Sequence, residues 1–124
     1  MTKKVPVSVG EYIDKVTILA IKSSRIKDDN KLRNILRELN SIVDLDSENI
    51  IDTPLYHDLM NVNKKLWDVE DAIRIKEHEE AFDDEFINLA RSVYILNDER
   101  SQIKKDINLK YGSDLIEEKS YDDS

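Results

Sequence analysis

Glycine and proline are almost absent from this chain, since each occurs only twice in 124 residues. These residues end helices and form turns, so the chain has few places at which a regular element can break. Cysteine is absent, which excludes a disulfide scaffold and a zinc site built on thiolates. We therefore predict one all-α domain over residues 1–124, built from long helices that pack through apolar contacts.

The clearest periodic pattern lies in the middle of the chain, where apolar residues recur every three or four positions. They are Leu55, Leu59, Val62, Leu66, Val69 and Ile73. This spacing is a heptad seam. Thr53-Pro54 precedes it and places a capping hydroxyl before a proline at the first helical position. The pattern predicts a helix over about 54–79.

A second seam of the same spacing follows, and only its arginine is not apolar. It consists of Phe86, Leu89, Val93, Leu96, Arg100, Ile103 and Ile107. It predicts a helix over about 84–111 that ends at Tyr111-Gly112, glycine being common just past a helix. The short connection between the two long helices predicts an antiparallel hairpin.

Two shorter helices are expected before the hairpin. Ser8, with Glu11 three positions later, forms a capping box and predicts a first helix over about 9–27. A second helix begins at residues 28–30 and ends near 45. We expect both to pack on the hairpin in a four-helix arrangement, with residues 1–8 extended and 113–124 forming an acidic tail.

Helix one carries an almost uninterrupted apolar run, because Thr17 is the only polar residue between Val16 and Ile21. A helix on the surface of a small domain normally has one apolar stripe. We therefore expect a homodimer through the apolar face of helix one. The residues of this face are Val16, Ile18, Leu19 and Ile21.

The charge balance limits the classes of partner. Residues 1–40 hold nine Lys/Arg and five Asp/Glu, a balance of +4, whereas residues 41–124 hold ten and twenty-two, a balance of −12. An acidic chain is unsuited to neutralising phosphates, which argues against nucleic-acid binding. No apolar run reaches the about 20 residues of a membrane-spanning helix, and no signal-peptide core follows Lys3-Lys4. We predict a cytoplasmic protein that does not bind membranes.

A polar row lies beside the apolar seams. If the hairpin turns near residue 81, Asn63 lies level with Arg100, and Trp67 with Asn97. Such a layer has two explanations. In the first, it fixes helix register and oligomeric state, and Arg100 pairs with Glu70, Asp71 or Asp14. In the second, it binds an anionic metabolite, with Arg100 holding the anion and Trp67 forming the wall of the pocket. The candidate ligand-binding residues are Asp14, Lys15, Asn63, Trp67, Glu70, Arg74, Asn97 and Arg100.

Known catalytic signatures are missing from the sequence. It contains no glycine-rich phosphate loop, His-Glu-x-x-His helix, EF-hand loop or nucleophile elbow. Asp68 and Asp71 have the spacing of magnesium-binding pairs in all-α nucleotide pyrophosphohydrolases, but the required second pair is missing. We predict no metal and no cofactor, and no residue is assigned a catalytic role.

Four segments together resemble a bacterial family of small helical proteins known only as a domain of unknown function. They are GEYIDKVTIL at 10–19, NKKLWDVEDAIR at 63–74, LARSVYILNDER at 89–100 and EEKSY at 117–121. The resemblance implies a small, mostly helical, stand-alone protein, and it associates such proteins with surface-polysaccharide gene neighbourhoods. It assigns no site residue.

Two hypotheses about function remain open from the sequence. The first is a homo-oligomeric interaction or structural module, favoured by the apolar run of helix one and the missing catalytic signatures. The second is a small all-α enzyme or binding protein for an anionic metabolite, built on the polar layer.

Overall fold

The computed structural model describes residues 1–120, which form four α-helices and no strand. The helices are α1 (Val9–Arg25), α2 (Asp29–Ile42), α3 (Pro54–His78) and α4 (Asp84–Lys110), and a short 3-10 helix at Val43–Leu45 follows α2. The all-α prediction is confirmed. Within residues 1–120, no helix combines the length and apolar character that a membrane span requires.

Each α-helix begins at a residue whose side chain caps it. Ser8, Asp28, Thr53 and Asp83 each accept a hydrogen bond from the backbone N–H three positions further along. Such a bond satisfies one of the N–H groups that have no partner inside the helix. These caps explain why the predicted helix starts agree with the observed ones.

The core lies where α1 packs against α3 and α4. Ile13 of α1, Leu59 of α3 and Ile107 of α4 are all fully buried there. The sequence predicts that helix two also packs on the hairpin, but the main contacts of α2 are with α1. No residue of α2 is buried, because α1 covers only one side of it.

The loop between α2 and α3 is folded around a single carboxylate. Both oxygens of Asp46 accept backbone hydrogen bonds, from the N–H of Ile50 and of Ile51, each at 2.9 Å. This turn places Ile50 in the core with no exposed surface. The sequence predicts a loop here but not its core residue.

The contact of α1 with α3 extends to Asp68, whose carboxylate pairs with Arg25 at the end of α1. Beyond this point α3 packs against α4, and the tail reaches α4 through the pair of Lys119 with Asp98. Lys76 joins the two near their connection, through Asp83 at 2.9 Å and Glu85 at 3.1 Å. We call residues 68–99 the distal hairpin; none of its side chains is buried.

Candidate functional site

A buried carboxylate links α1 to both long helices. Asp14 is only 1% exposed, although it is ionisable. Its Oδ1 accepts hydrogen bonds from Asn63 of α3 at 2.8 Å and from Nε of Arg100 of α4 at 3.0 Å, and its Oδ2 accepts from Nη2 of Arg100. Asp14 therefore connects three helices at one level.

On the α3 side of this cluster, the Asn63 side chain donates two hydrogen bonds. The amide nitrogen of Asn63 donates to Asp14 and also, at 2.9 Å, to the hydroxyl of Thr17. Thr17 in turn donates to the backbone carbonyl of Asp14 at 2.7 Å. Both N–H groups of the amide are thus used, and the carboxylate, the hydroxyl and the amide fix one another's orientation.

Two cations face the carboxylate from α4. Arg100 forms a two-point contact with Asp14, and Lys104 pairs with Glu11 while lying 3.9 Å from Asp14. Hydrogen bonding to Asp14 raises the pKa of Arg100, and this effect exceeds the opposing effect of burial. We call Glu11, Asp14, Thr17, Asn63, Arg100 and Lys104 the Asp14 network.

The network leaves no reactive group free. Within residues 1–120, every buried side-chain nitrogen or oxygen has a hydrogen-bond partner. In the same part of the chain, no group of three or more His, Cys, Asp or Glu side chains is placed to hold a metal ion. The Asp14 carboxylate is surrounded by donors and neutralised by Arg100, so this arrangement positions helices rather than presenting a base or a nucleophile.

The structure brings half of the sequence-predicted site residues together. Asp14, Asn63 and Arg100 meet as described, and Oδ1 of Asn97 accepts a long hydrogen bond, 3.5 Å, from Nη1 of Arg100. Asn63 and Arg100 therefore lie at the same level. Of the three carboxylates considered as partners for Arg100, the structure selects Asp14.

The other four predicted residues lie apart from the network. Trp67 lies beneath the guanidinium of Arg25, 5.8 Å from the ring centroid. Glu70 and Arg74 form an exposed pair at 3.8 Å along α3, and Lys15 pairs with Glu38 of α2 at 2.9 Å on the surface. Trp67, which the sequence places beside Arg100, therefore contacts Arg25 instead.

Sequence reasoning missed three members of the network, Glu11, Thr17 and Lys104. Each lies three or four positions from a residue that was selected, Glu11 and Thr17 from Asp14 and Lys104 from Arg100. Residues at this spacing share a helix face. Listing the polar neighbours at that spacing would have found all three.

The depth at which α1 enters the bundle is set at its first turn. The N–H of Gly10 donates to the buried Oδ1 of Asn108 at 2.6 Å. A Cβ on Gly10 would lie closer than 3.0 Å to the backbone carbonyl oxygen of Lys104. Glycine at this position lets α1 approach the backbone of α4.

The remaining N–H groups of the first turn are also satisfied. Val9 donates to the hydroxyl of Ser113 at 3.1 Å, and Glu11 to that of Ser8 at 3.0 Å. The Ser8 hydroxyl donates to Glu117 of the tail at 2.5 Å. The Glu11 carboxylate pairs with Lys104, so the predicted capping box forms only through Ser8.

The tail folds back over the bundle as far as the structure describes it. Glu117 contacts Ser8 at the start of α1, and Lys119 pairs with Asp98 of α4. A carboxylate at this position is favoured by the positive end of the α1 dipole. The last residue of the EEKSY segment, Tyr121, lies outside the described residues.

The apolar face of helix one is largely covered within one copy of the chain. Val16, Leu19 and Ile21 are each 3% exposed or less, and Ile18 is half-buried. The apolar run that motivated a dimer is therefore explained, for three of its four residues, by packing inside the chain. Any second copy at this face would meet mainly Ile18.

Five of the large exposed apolar side chains lie on the distal hairpin, and the others are spread over the rest of the described residues. The five are Ile75, Phe82, Ile87, Tyr94 and Ile95, each at least 50% exposed. A shallow groove of about 390 Å³ follows the outer side of α3 there. It is lined by Asp71, Arg74, Ile75, His78 and Glu79.

Comparison with known proteins places the chain in a family without giving it an activity. No curated protein and no solved structure matches it. A family profile matches residues 3–124, nearly the whole chain. The chain belongs to that family, which is described as a family of unknown function (DUF6165).

Proposed function

We propose that this protein is a homo-oligomeric interaction module whose contact surface is the distal hairpin. One observation carries the proposal: α3 and α4 extend well beyond the helix that covers them. α1 has 17 residues and is about 26 Å long, whereas α3 has 25 and is about 38 Å long. The distal seam is therefore shielded on one side only.

The burial of the α3 seam supports this proposal. Leu59 and Val62 at the covered end are 2% exposed or less. Val69 and Ile73, which continue the same seam beyond Asp68, are only half-buried. Two helices packed against each other cannot enclose an apolar seam, and further helices are needed to complete a bundle.

The exposed residues at the same place add to this support. Five large apolar side chains, all at least half exposed, lie on a segment of 32 residues. Single exposed apolar residues are normal on protein surfaces, but a concentration of them indicates an interaction site. The proposal therefore moves self-association from helix one to the distal hairpin.

Sedimentation equilibrium, with light scattering after size exclusion, tests the proposal. We expect the parent chain to associate reversibly and the double variant Ile75→Ser, Ile87→Ser to stay monomeric. The control is Leu45→Ser, Leu109→Ser, because these side chains are as exposed, at 63% and 61%, but lie outside the distal hairpin. A monomeric parent, or equal association of all three proteins, would refute the proposal.

The alternative function, binding of an anionic metabolite, finds less support in the contacts of Arg100. This guanidinium already donates to Asp14 twice and to Asn97 once. Three of its five N–H groups are therefore used, and an anion would have to share the positive charge of Arg100 with the buried Asp14 carboxylate. Thermal unfolding against sugar phosphates, nucleotides and carboxylates tests this, because a saturating ligand at 100 times its Kd adds about 2.7 kcal/mol of stability.

A further inference from the structure

We propose that the distal hairpin of one copy is covered by α2 of a second copy, and reciprocally, in a two-fold dimer. This inference rests on the proposed function and names the partner surface. It rests on charge and apolar exposure: the distal hairpin is acidic, α2 carries three cations without an ion pair among residues 1–120, and each surface leaves apolar side chains uncovered. A two-fold axis makes both contacts identical.

Electrostatics disfavours the simpler arrangement in which two hairpins pack side by side. Residues 68–99 hold eleven Asp/Glu and three Lys/Arg, a balance of −8, which equals the formal charge of the whole chain. Two such segments in contact would bring like charges together, and like-charge contacts oppose association. The surface that covers the hairpin is therefore expected to be basic.

The basic surface in this chain lies at the end of α1 and along α2. Residues 22–37 hold six Lys/Arg and two Asp/Glu, a balance of +4, and α2 itself holds three Lys/Arg and two Asp/Glu, a balance of +1. Lys31, Arg33 and Arg37 are exposed, and within residues 1–120 none of them forms an ion pair. These cations are available to a partner without breaking an internal contact.

The apolar side chains of α2 are equally available. Leu36 is 41% exposed, and Arg33 and Arg37 lie beside it on one side of the helix. The half-buried Leu32 and Leu39 flank it along the same helix, and α1 covers only their other side. α2 thus presents apolar side chains with two arginines along one edge.

The groove on α3 has the complementary arrangement. Asp71, Ile75 and Glu79 follow one another at four-residue spacing, so they lie in one row with the 58% exposed Ile75 at its centre. Neither carboxylate has an ion-pair partner among residues 1–120, whereas Arg74, also in the groove, pairs with Glu70. In the proposed contact, Leu36 packs against Ile75. Arg33 and Arg37 then lie beside the two carboxylates, so the apolar side chains are covered and the charges are paired.

Salt dependence separates this dimer from a hairpin–hairpin dimer. Raising ionic strength from about 0.1 M to about 1 M shortens the Debye length from about 10 Å to about 3 Å. Screening weakens an attraction between opposite charges and relieves a repulsion between like charges. We expect the dimer Kd, measured by sedimentation equilibrium, to rise with salt.

Charge exchange between two variants provides the specific test. Arg33→Glu, Arg37→Glu and, separately, Asp71→Lys, Glu79→Lys should each weaken self-association at least about tenfold, because each replaces attraction by repulsion in both contacts. Mixing the two variants should restore dimerisation, since each opposite-charge contact re-forms in the mixed dimer. Lys64→Glu, Lys65→Glu is the matched control for the arginine variant, because it changes the net charge by the same amount and sign at exposed positions of α3 outside the distal hairpin.

The outcomes distinguish this inference from the proposed function. A parent that is monomeric at every salt concentration overturns both. A dimer that tightens with salt, or that survives both charge reversals, overturns the α2 contact and leaves self-association through the hairpin intact. Weakening by salt together with recovery on mixing supports the reciprocal dimer. Circular dichroism of each variant alone verifies that the helices are retained.

Discussion

Replacing Gly10 with alanine tests how closely α1 is held against α4. The substitution lowers the free energy of unfolding if the two helices are in close contact at this position and raises it if they are not. The added Cβ would lie closer than 3.0 Å to the carbonyl oxygen of Lys104 and 3.0 Å from Oδ1 of Asn108. The Lys104 carbonyl belongs to the backbone of α4, which cannot rotate away as a side chain can. One of the two helices must shift.

Two opposing effects determine the magnitude. In an uncrowded helix, alanine in place of glycine raises the free energy of unfolding by up to about 1 kcal/mol. At Gly10 the overpacking costs about 1–3 kcal/mol, and weakening the buried 2.6 Å hydrogen bond to Asn108 adds to this cost. We expect a net destabilisation of about 1–3 kcal/mol. A chain of this length loses about 3–5 °C in Tm for each kcal/mol.

Urea and thermal unfolding followed by circular dichroism measure this difference. Gly112 provides the control, because it has a φ of +63° and no atom within 4 Å of an added Cβ. Gly112→Ala should cost about 1 kcal/mol through backbone conformation alone, and Gly112→Asn should cost less, since asparagine tolerates this conformation. A Gly10→Ala protein as stable as the parent would refute the close approach of α1 and α4.

Three further predictions concern the network, a half-buried phenol and the tail. Asp14→Ala should lower the free energy of unfolding, measured by urea titration, by about 3–5 kcal/mol, whereas Asp14→Leu combined with Arg100→Met should recover most of that loss. A double variant that is as unstable as Asp14→Ala would argue against a buried ion pair. Burial raises the pKa of Tyr12 from 10.0 to about 12, so the unfolded chain releases this proton first and stability falls as pH rises through this window. Tyr12→Phe should reduce that fall in urea titrations at successive pH values. Glu117→Ala should speed amide hydrogen exchange in the first turn of α1, because the Ser8 cap loses its partner; unchanged exchange would show that the tail does not support the cap.

The helix ends could be predicted because local chemistry determines them. Thr53 with Pro54 fixes the start of α3, and Asp83 fixes that of α4, through bonds within one turn of the chain. Helix one was predicted two residues too long, ending at 27 rather than at Arg25. The residues after Ile42 form a 3-10 helix rather than extending α2.

Contacts between distant segments were less accessible to sequence reasoning. The heptad spacing placed Asn63 and Arg100 at one level, because a seam constrains register along both helices. Asp14 was one of three carboxylates that could pair with Arg100, and periodicity could not choose among them. The choice depends on how deeply α1 enters the bundle, which the close approach at Gly10 determines.

Helix length connects the sequence to the proposed interaction surface. A heptad seam indicates which side chains face a partner helix, but it does not indicate over what length a further helix covers them. The caps and breaks already predict a first helix of about 19 residues against about 26 and 28 for the long pair. A rod about 10 Å shorter than its neighbours cannot enclose the whole seam, whatever its angle. α1 therefore leaves part of the seam without a covering helix. α2 does not cover that part either, because its main contacts are with α1. In the proposed dimer, α2 of a second copy supplies that cover and brings cations to the acidic distal hairpin.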